Sequence, residues 1–334
     1  MTARSGLNRF AGSDNEYFTM PEVTLPDPVQ WAIPAFIVLA LAEIVISRRQ
    51  GRLGYELRDT AASLAMGFGE LITGLLARAA LLAGFAAVPF RVFDIGVTWW
   101  SFVLVVFAGD LAYYAFHRVS HRSRLWWAAH VNHHSSQHFN LSTALRQSWT
   151  GDALGWIIWV PPLVLIGFPI SLIIFQQGVS LVYQFWIHTE LVERMPWWFE
   201  AVMNTPSHHR VHHASNPRYL DRNYAGIFII WDKLFGTFAA ETTADPPRYG
   251  LVRNIATFNP VRIAFHEWAA IITDLRTSRS WAERVRYLVG VPGWCPDGRR
   301  QTTDALRAAW RAREAALAPA PPEPDRNEQP ATVS

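Results

Sequence analysis

From Val29 to Ser47 the sequence carries a single charge, Glu43, and the run closes on Arg48, Arg49 and Arg52. An apolar stretch of about 18 residues or more reads as a membrane span. The basic cluster directly behind it places that end in the cytoplasm. A second apolar region, 61–93, is rich in Gly, Ala and Leu, which suits helix packing in lipid. A third covers 97–116, and the two together read as a hairpin that leaves the cytoplasm and returns. The fourth, 153–187, is long enough for two passes. Pro161, Pro162 and Pro169 interrupt it, so it reads as another hairpin or as a shallower re-entrant pair. Counting passes, the loops after the third and fourth regions both face the cytoplasm. The pairs Trp99–Trp100, Trp126–Trp127 and Trp197–Trp198 stand where interfacial aromatic belts are expected. The expected fold class is all-α: a multi-pass membrane helical bundle with a cytosolic helical cap.

Composition agrees with that reading. Half of the 334 residues are hydrophobic and only 17% are charged, against about a quarter in soluble domains. The net charge of +3 is too small to argue for nucleic acid. Cys295 is the one cysteine, which excludes an intramolecular disulfide and a thiolate metal cluster. The chain divides into a polar N-terminal segment (1–28), a membrane-embedded domain (29–302) and a C-terminal part (303–334). The first segment shows no cleavable signal pattern. In the last, 303–318 reads as an amphipathic helix, and the Pro-, Ala- and acid-rich tail from Pro319 is expected to be disordered.

Eleven of the twelve histidines lie between His117 and His213, and eight of them form three clusters. His117 and His121 make HxxxH. His130, His133 and His134 make HxxHH, and His209, His212 and His213 repeat it. On a helix, positions i, i+3 and i+4 share a face, so each cluster is expected to aim its imidazoles at one spot. Crowding so many imidazoles without a metal would add desolvation to repulsion whenever one became charged. Imidazole suits Zn, Cu, Fe and Ni alike. His188, at the end of the fourth apolar region, is the expected ninth ligand, although a helix C-terminus favours histidine by its dipole alone. Eight or nine imidazoles exceed the needs of one ion and suit two neighbours with four or five each.

Other polar residues are candidates for places beside the ligands or facing substrate. Asp110 lies inside the third apolar run, where a carboxylate is costly and a functional candidate. It is expected to accept an N–H from a ligand imidazole or to bond a polar group on a neighbouring helix. His138 and His208 adjoin clusters but break their spacing; Gln184 and Glu190 flank His188; Asn140 follows the second cluster. Arg146, Arg210, Arg218 and Arg222 stand near the clusters and could meet a polar headgroup. His266 reads as structural.

Taken together, the boxes resemble those of the fatty acid hydroxylase / sterol desaturase superfamily, and the flanking segments are similar to its alkylglycerol monooxygenase group. The stretches that carry this are 133–136 (HHSS), 140–148 (NLSTALRQS), 184–190 (QFWIHTE) and 204–213 (NTPSHHRVHH). The match extends through 216–219 (NPRY), 221–226 (DRNYAG) and 230–238 (IWDKLFGTF), and overall covers roughly 60–295. Two positions depart from the pattern: Gln184 stands where some members carry a histidine, and Arg122 where that group tends to carry an acid. The resemblance implies a membrane di-iron enzyme that hydroxylates or desaturates a lipid with O2, or cleaves an ether lipid. It implies His117, His121, His130, His133, His134, His188, His209, His212 and His213 as ligands of two Fe ions, with zinc able to replace iron in purified protein. No electron-transfer segment is evident, so a separate donor, tetrahydrobiopterin or a ferredoxin-type protein, is implied. Two rivals use the same ligand type. A membrane zinc hydrolase lacks support because no HExxH is present. A metal transporter would place its ligands at mid-membrane, whereas these clusters follow the membrane runs.

Overall fold

The computed structural model describes residues 25–51, 54–86 and 90–317. Most of the N-terminal polar segment and the tail from Pro319 lie outside the described residues. The regular structure of the described residues is helical, with loops between the helices and isolated bridges such as Met203–Phe228. Helix α1 (Pro28–Arg49) starts on the Asp27 cap, whose carboxylate accepts from the Val29 and Gln30 amides, and ends on Arg48 and Arg49. It is followed by α2 (Leu57–Ala86) and α3 (Trp99–Arg122), the latter opened by a Thr98–Ser101 capping box. These three are long and apolar enough to cross a membrane. In α1 only Glu43 and Ser47 are fully buried by protein; Phe36 stacks on Phe185, and most of its other apolar side chains face outward, as they do when lipid is the solvent.

The short α4 (Arg124–Ala128) precedes α5 (Gly151–Ile166) and α6 (Ile170–Trp186). At 16 and 17 residues these two are shorter than the spans. The break between them lies at Gly167–Pro169, not at Pro161 and Pro162, which sit inside α5. Gly167 adopts φ +120°, and a Cβ there would lie 1.9 Å from the Phe93 carbonyl oxygen. Only glycine permits that turn and approach. The α5–α6 pair packs against α3 through Val105, Trp156, Trp159, Val160, Leu163 and Leu172, all buried. Trp159 also donates its indole N–H to the Gly109 carbonyl at 3.0 Å, so this large apolar ring is packed with its polar atom satisfied.

The rest forms a cap: α7 (Trp197–Glu200), α8 (Pro206–His212), α9 (Ile230–Leu234), α10 (Pro260–Thr277), α11 (Trp281–Val289) and α12 (Thr303–Leu317). It is joined to the helix ends by buried polar contacts. Glu43, near the end of α1, accepts from the Tyr55 hydroxyl, the Thr189 hydroxyl and the Leu141 amide. Trp99, Trp197 and Trp198 are exposed as an interfacial belt requires, but the Trp126–Trp127 pair is not. Trp126 donates to the Leu154 carbonyl, and the Trp127 ring lies 5.1 Å from that of His121. That pair serves the interior of the cap.

Candidate metal centre

Four pieces of chain bring nine histidines together. The last turns of α3 carry His117 and His121, one turn apart. After α4 the chain tightens into a 3-10 turn at His133–Ser135, with the His133 amide donating to the His130 carbonyl. His188 follows α6, and α8 presents His209 and His212 with His213 as its C-cap. Their ring nitrogens fall into two groups. His117, His121, His130, His134 and His212 form one; His133, His188, His209 and His213 form the other. Within each, the candidate ligand atoms lie within 4.8 Å of one another.

This corrects the expectation that each cluster aims at one spot. In both HxxHH boxes the outer pair, one helical turn apart, goes to one group and the middle histidine goes to the other. On α8, positions i and i+4 project within about 40° of each other, while i+3 projects about 100° from i+4; the box at 130–134 makes the same division on a turn and a 3-10 helix. A box therefore straddles two adjacent foci, and the boxes interlock: the His134 and His213 rings are 4.5 Å apart, and His133 and His213 4.6 Å.

The hydrogen bonds show whether these residues fit metal ions. His188 donates its Nδ1–H to the Gln184 carbonyl at 2.7 Å, and His133 donates its Nδ1–H to the Arg146 carbonyl at 3.3 Å. A neutral imidazole carries one N–H, so both Nε2 atoms present lone pairs, and they face each other at 3.3 Å. Two lone pairs at that distance repel, and a cation between them makes the same arrangement attractive. In the other group, His117 donates to the Tyr224 carbonyl at 2.7 Å and His212 to the Arg222 carbonyl at 3.0 Å. The buried Nε2 atoms of His121 and His212 have no hydrogen-bond partner among the described residues. Each group fits a metal ion, in an all-imidazole donor set.

Burial keeps the imidazoles neutral, the form that binds metal. It pushes His130, His134, His209, His212 and His213 well below the usual histidine range, reinforced by neighbouring imidazoles, and His133 down to about 4. In the unfolded chain these groups titrate near pH ~6.5. Above that, neither state takes up protons. Below it the unfolded state binds them and the folded state does not, so stability falls as pH falls, by about 1.4 kcal/mol per unit for each group. The thermal midpoint in detergent is expected to drop steeply from pH 7.5 to 5.5; a flat profile would contradict neutral, buried imidazoles.

The two groups have different surroundings. Phe139, fully buried, stacks on His188 at 5.6 Å between ring centres and on Tyr249 at 5.0 Å, covering the four-histidine group. The Tyr249 hydroxyl donates to Glu190 at 3.0 Å. His121, His134 and His212 of the other group line a cavity of about 830 Å³, and His213 of the four-histidine group lines it with them. Trp127, Leu220, Leu251, Ala270 and Leu306 are among its other lining residues.

The remaining candidates divide. Gln184 supplies its carbonyl to His188, and its side-chain oxygen accepts from the Tyr113 hydroxyl at 2.8 Å. Asp110 touches no imidazole: it accepts from the Ile227 and Phe228 amides and the Trp231 indole. Asn140 braces its own turn through Ser142 and donates to the Gly54 carbonyl. His138 offers its carbonyl to the Ser136 and Thr143 hydroxyls, and His208 stands apart, its ring edge-on to Phe238. His266 donates its Nδ1–H to the Ile263 carbonyl. Arg146 and Arg210 are not headgroup contacts. Arg146 is buried against Asp59, and Arg210 holds Glu241 and the carbonyls of Thr189, Val192 and Glu193. Sequence reasoning assigned no role to Asp59, Asn223 or Asp232, nor any to the carbonyls of Arg146, Arg222 and Tyr224. Glu43 stood out as a charge in an apolar run, but nothing local named its partners.

Comparison with known proteins agrees with this geometry. Residues 102–237, which contain all nine histidines, match the fatty acid hydroxylase family. The chain is 39% identical to the human (Homo sapiens) alkylglycerol monooxygenase over 292 residues, 85% of this chain and 63% of the relative. The Danio rerio enzyme of the same name is 38% identical with the same coverage. The ornithine lipid hydroxylase OlsE of Rhizobium tropici is 26% identical over 146 residues, 44% of this chain and 42% of that protein. The chain thus spans a little under two thirds of the length of the alkylglycerol monooxygenases it matches. No solved structure gives a significant match. The histidine boxes thus lie inside a fatty acid hydroxylase domain, and alkylglycerol monooxygenases align along 85% of this chain.

Proposed function

We propose that the protein is a membrane-bound di-iron oxygenase that hydroxylates a lipid C–H bond with O2, at a site facing the cytoplasm. The observation that carries this reading is the division of nine histidines into adjacent groups of five and four, with tautomers pinned so that Nε2 lone pairs converge. When bound there, iron supplies O2 activation and hydrogen abstraction. The overall balance is R–H + O2 + two electrons + two protons giving R–OH + water. A separate donor, tetrahydrobiopterin or a ferredoxin-type protein, provides the electrons. The chain's own residues hold the imidazoles neutral, cover the four-histidine group on one side with Phe139 and Tyr249, and open three histidines of the other group, with His213, to the cavity where the lipid would lie.

The relatives' names extend the reading to an ether lipid. Hydroxylation of the carbon beside the ether oxygen of an alkylglycerol gives a hemiacetal, which breaks down to an aldehyde and glycerol. Arg122, where the related enzymes tend to carry an acid, here pairs with Asp221 and Asp304. Iron-loaded protein in detergent, given an alkylglycerol and a reduced pterin, is expected to consume one O2 per lipid oxidised and to stop without O2. Product formed equally well without O2 would contradict an oxygenase and favour hydrolysis.

A further inference from the structure

Three of the five imidazoles in one group find their second-nitrogen partner within the four residues 221–224. The Asp221 carboxylate lies 3.5 Å from His121 Nδ1, the Arg222 carbonyl accepts from His212 at 3.0 Å, and the Tyr224 carbonyl accepts from His117 at 2.7 Å. The four-histidine group takes its ring partners elsewhere, from the Arg146 and Gln184 carbonyls. Within 221–224 the backbone alternates. Asp221 and Asn223 adopt φ +54° and +55°, left-handed values that non-glycine residues rarely hold. The intervening carbonyls of Arg222 and Tyr224 both reach histidines.

Such a backbone persists only when its surroundings determine it; two fully buried side chains hold it and a third, Asp110, holds the stretch just after it. Asn223 donates to the His208 and Ala239 carbonyls at 3.0 and 2.8 Å and accepts from the Ala239 amide. Asp232 accepts from the Tyr224 and Ala225 amides at 2.9 and 2.8 Å and from the Thr237 hydroxyl. Asp110, reaching across from α3, accepts from the Ile227 and Phe228 amides and the Trp231 indole at 2.7 to 2.9 Å. None of the three side chains hydrogen-bonds to an imidazole ring.

We infer that Asn223, Asp232 and Asp110 are positioning residues for one ion of the pair. Asn223 and Asp232 clamp 221–224, and Asp110 anchors the stretch that follows at 227–231, so that the Arg222 and Tyr224 carbonyls fix the tautomers of His212 and His117, and the five-histidine group is thereby set independently of the four-histidine group. The inference rests on the two-metal reading proposed above. Partners of ligand imidazoles typically change metal affinity by about 10–100-fold, and here that effect is confined to one ion.

The test is a metal titration of detergent-purified apoprotein, full chain, with ferrous iron under anaerobic conditions. Wild type is expected to bind two ions. Asp232→Asn and Asp110→Asn are expected to weaken one of them about 10–100-fold and leave the other unchanged. Combined with His117→Ala and His212→Ala, which together leave that group three imidazoles, they add no comparable further loss. Asn223→Gly leaves the left-handed backbone unstrained and removes only the clamp, so it keeps the fold and weakens the same ion by a smaller factor. Equal weakening of both ions in variants that still melt cooperatively, or two unchanged affinities, would overturn the inference. A wild-type chain that fails to bind two ions would instead overturn the two-metal reading.

Discussion

Replacing His133 with alanine is expected to empty the four-histidine group and to lower lipid oxidation below about one hundredth of wild type, since changing a mere partner of a ligand already costs about 10–100-fold. The group has no spare member: His133 meets His188 Nε2 at 3.3 Å, and without it three imidazoles remain. His121→Ala is the informative contrast, because it leaves four imidazoles in its group. It is expected to keep both ions and a measurable fraction of activity. Turnover and metal content measured on both variants check the difference; equal losses would contradict the division into five and four.

The second large effect is on stability. Arg146 is 1% exposed and Asp59 4%. The guanidinium donates to the Asp59 carboxylate at 2.6 Å and to the Asp59 carbonyl, Ser63 and Ser135. Asp59→Ala leaves a buried charge without its counter-ion, a change that costs about 3–5 kcal/mol. Against a total stability of about 5–15 kcal/mol, that is a large share. Because the Arg146 carbonyl also holds His133, the metal-loaded form is expected to suffer with it. Asp59→Leu combined with Arg146→Met removes both charges and keeps the backbone carbonyl, so it is expected to recover most of the loss. Thermal denaturation in detergent measures both; a double variant as unstable as Asp59→Ala would contradict the ion-pair argument.

How much of this was legible in the sequence follows from what local spacing encodes. Apolar length announces helices in lipid, so α1, α2 and α3 were readable from their runs. The break in the fourth region was readable at Pro169, which caps α6, but not its exact place, because Pro161 and Pro162 are accommodated within α5 while Gly167 makes the turn through a backbone value that its neighbours do not reveal. Eight of the nine grouped histidines were visible as HxxxH and HxxHH boxes, with His188 standing alone. Which histidine serves which group was not, because i+3 and i+4 spacing fixes direction only relative to its own helix. The carbonyls of Arg146, Gln184, Arg222 and Tyr224 orient histidines of the two groups, but every residue has a carbonyl, and no side-chain pattern singles these out. Asp110 drew notice as a carboxylate in an apolar run; its partners, the amides 117 and 118 residues further on, required the fold.

The central claim is that one chain holds two iron ions in its two histidine groups. Elemental mass spectrometry of detergent-purified wild-type protein, made with ample iron, measures it directly. The account predicts about two irons per chain, matching the two groups. Well-folded protein that holds zinc alone, one ion, or no metal would contradict it.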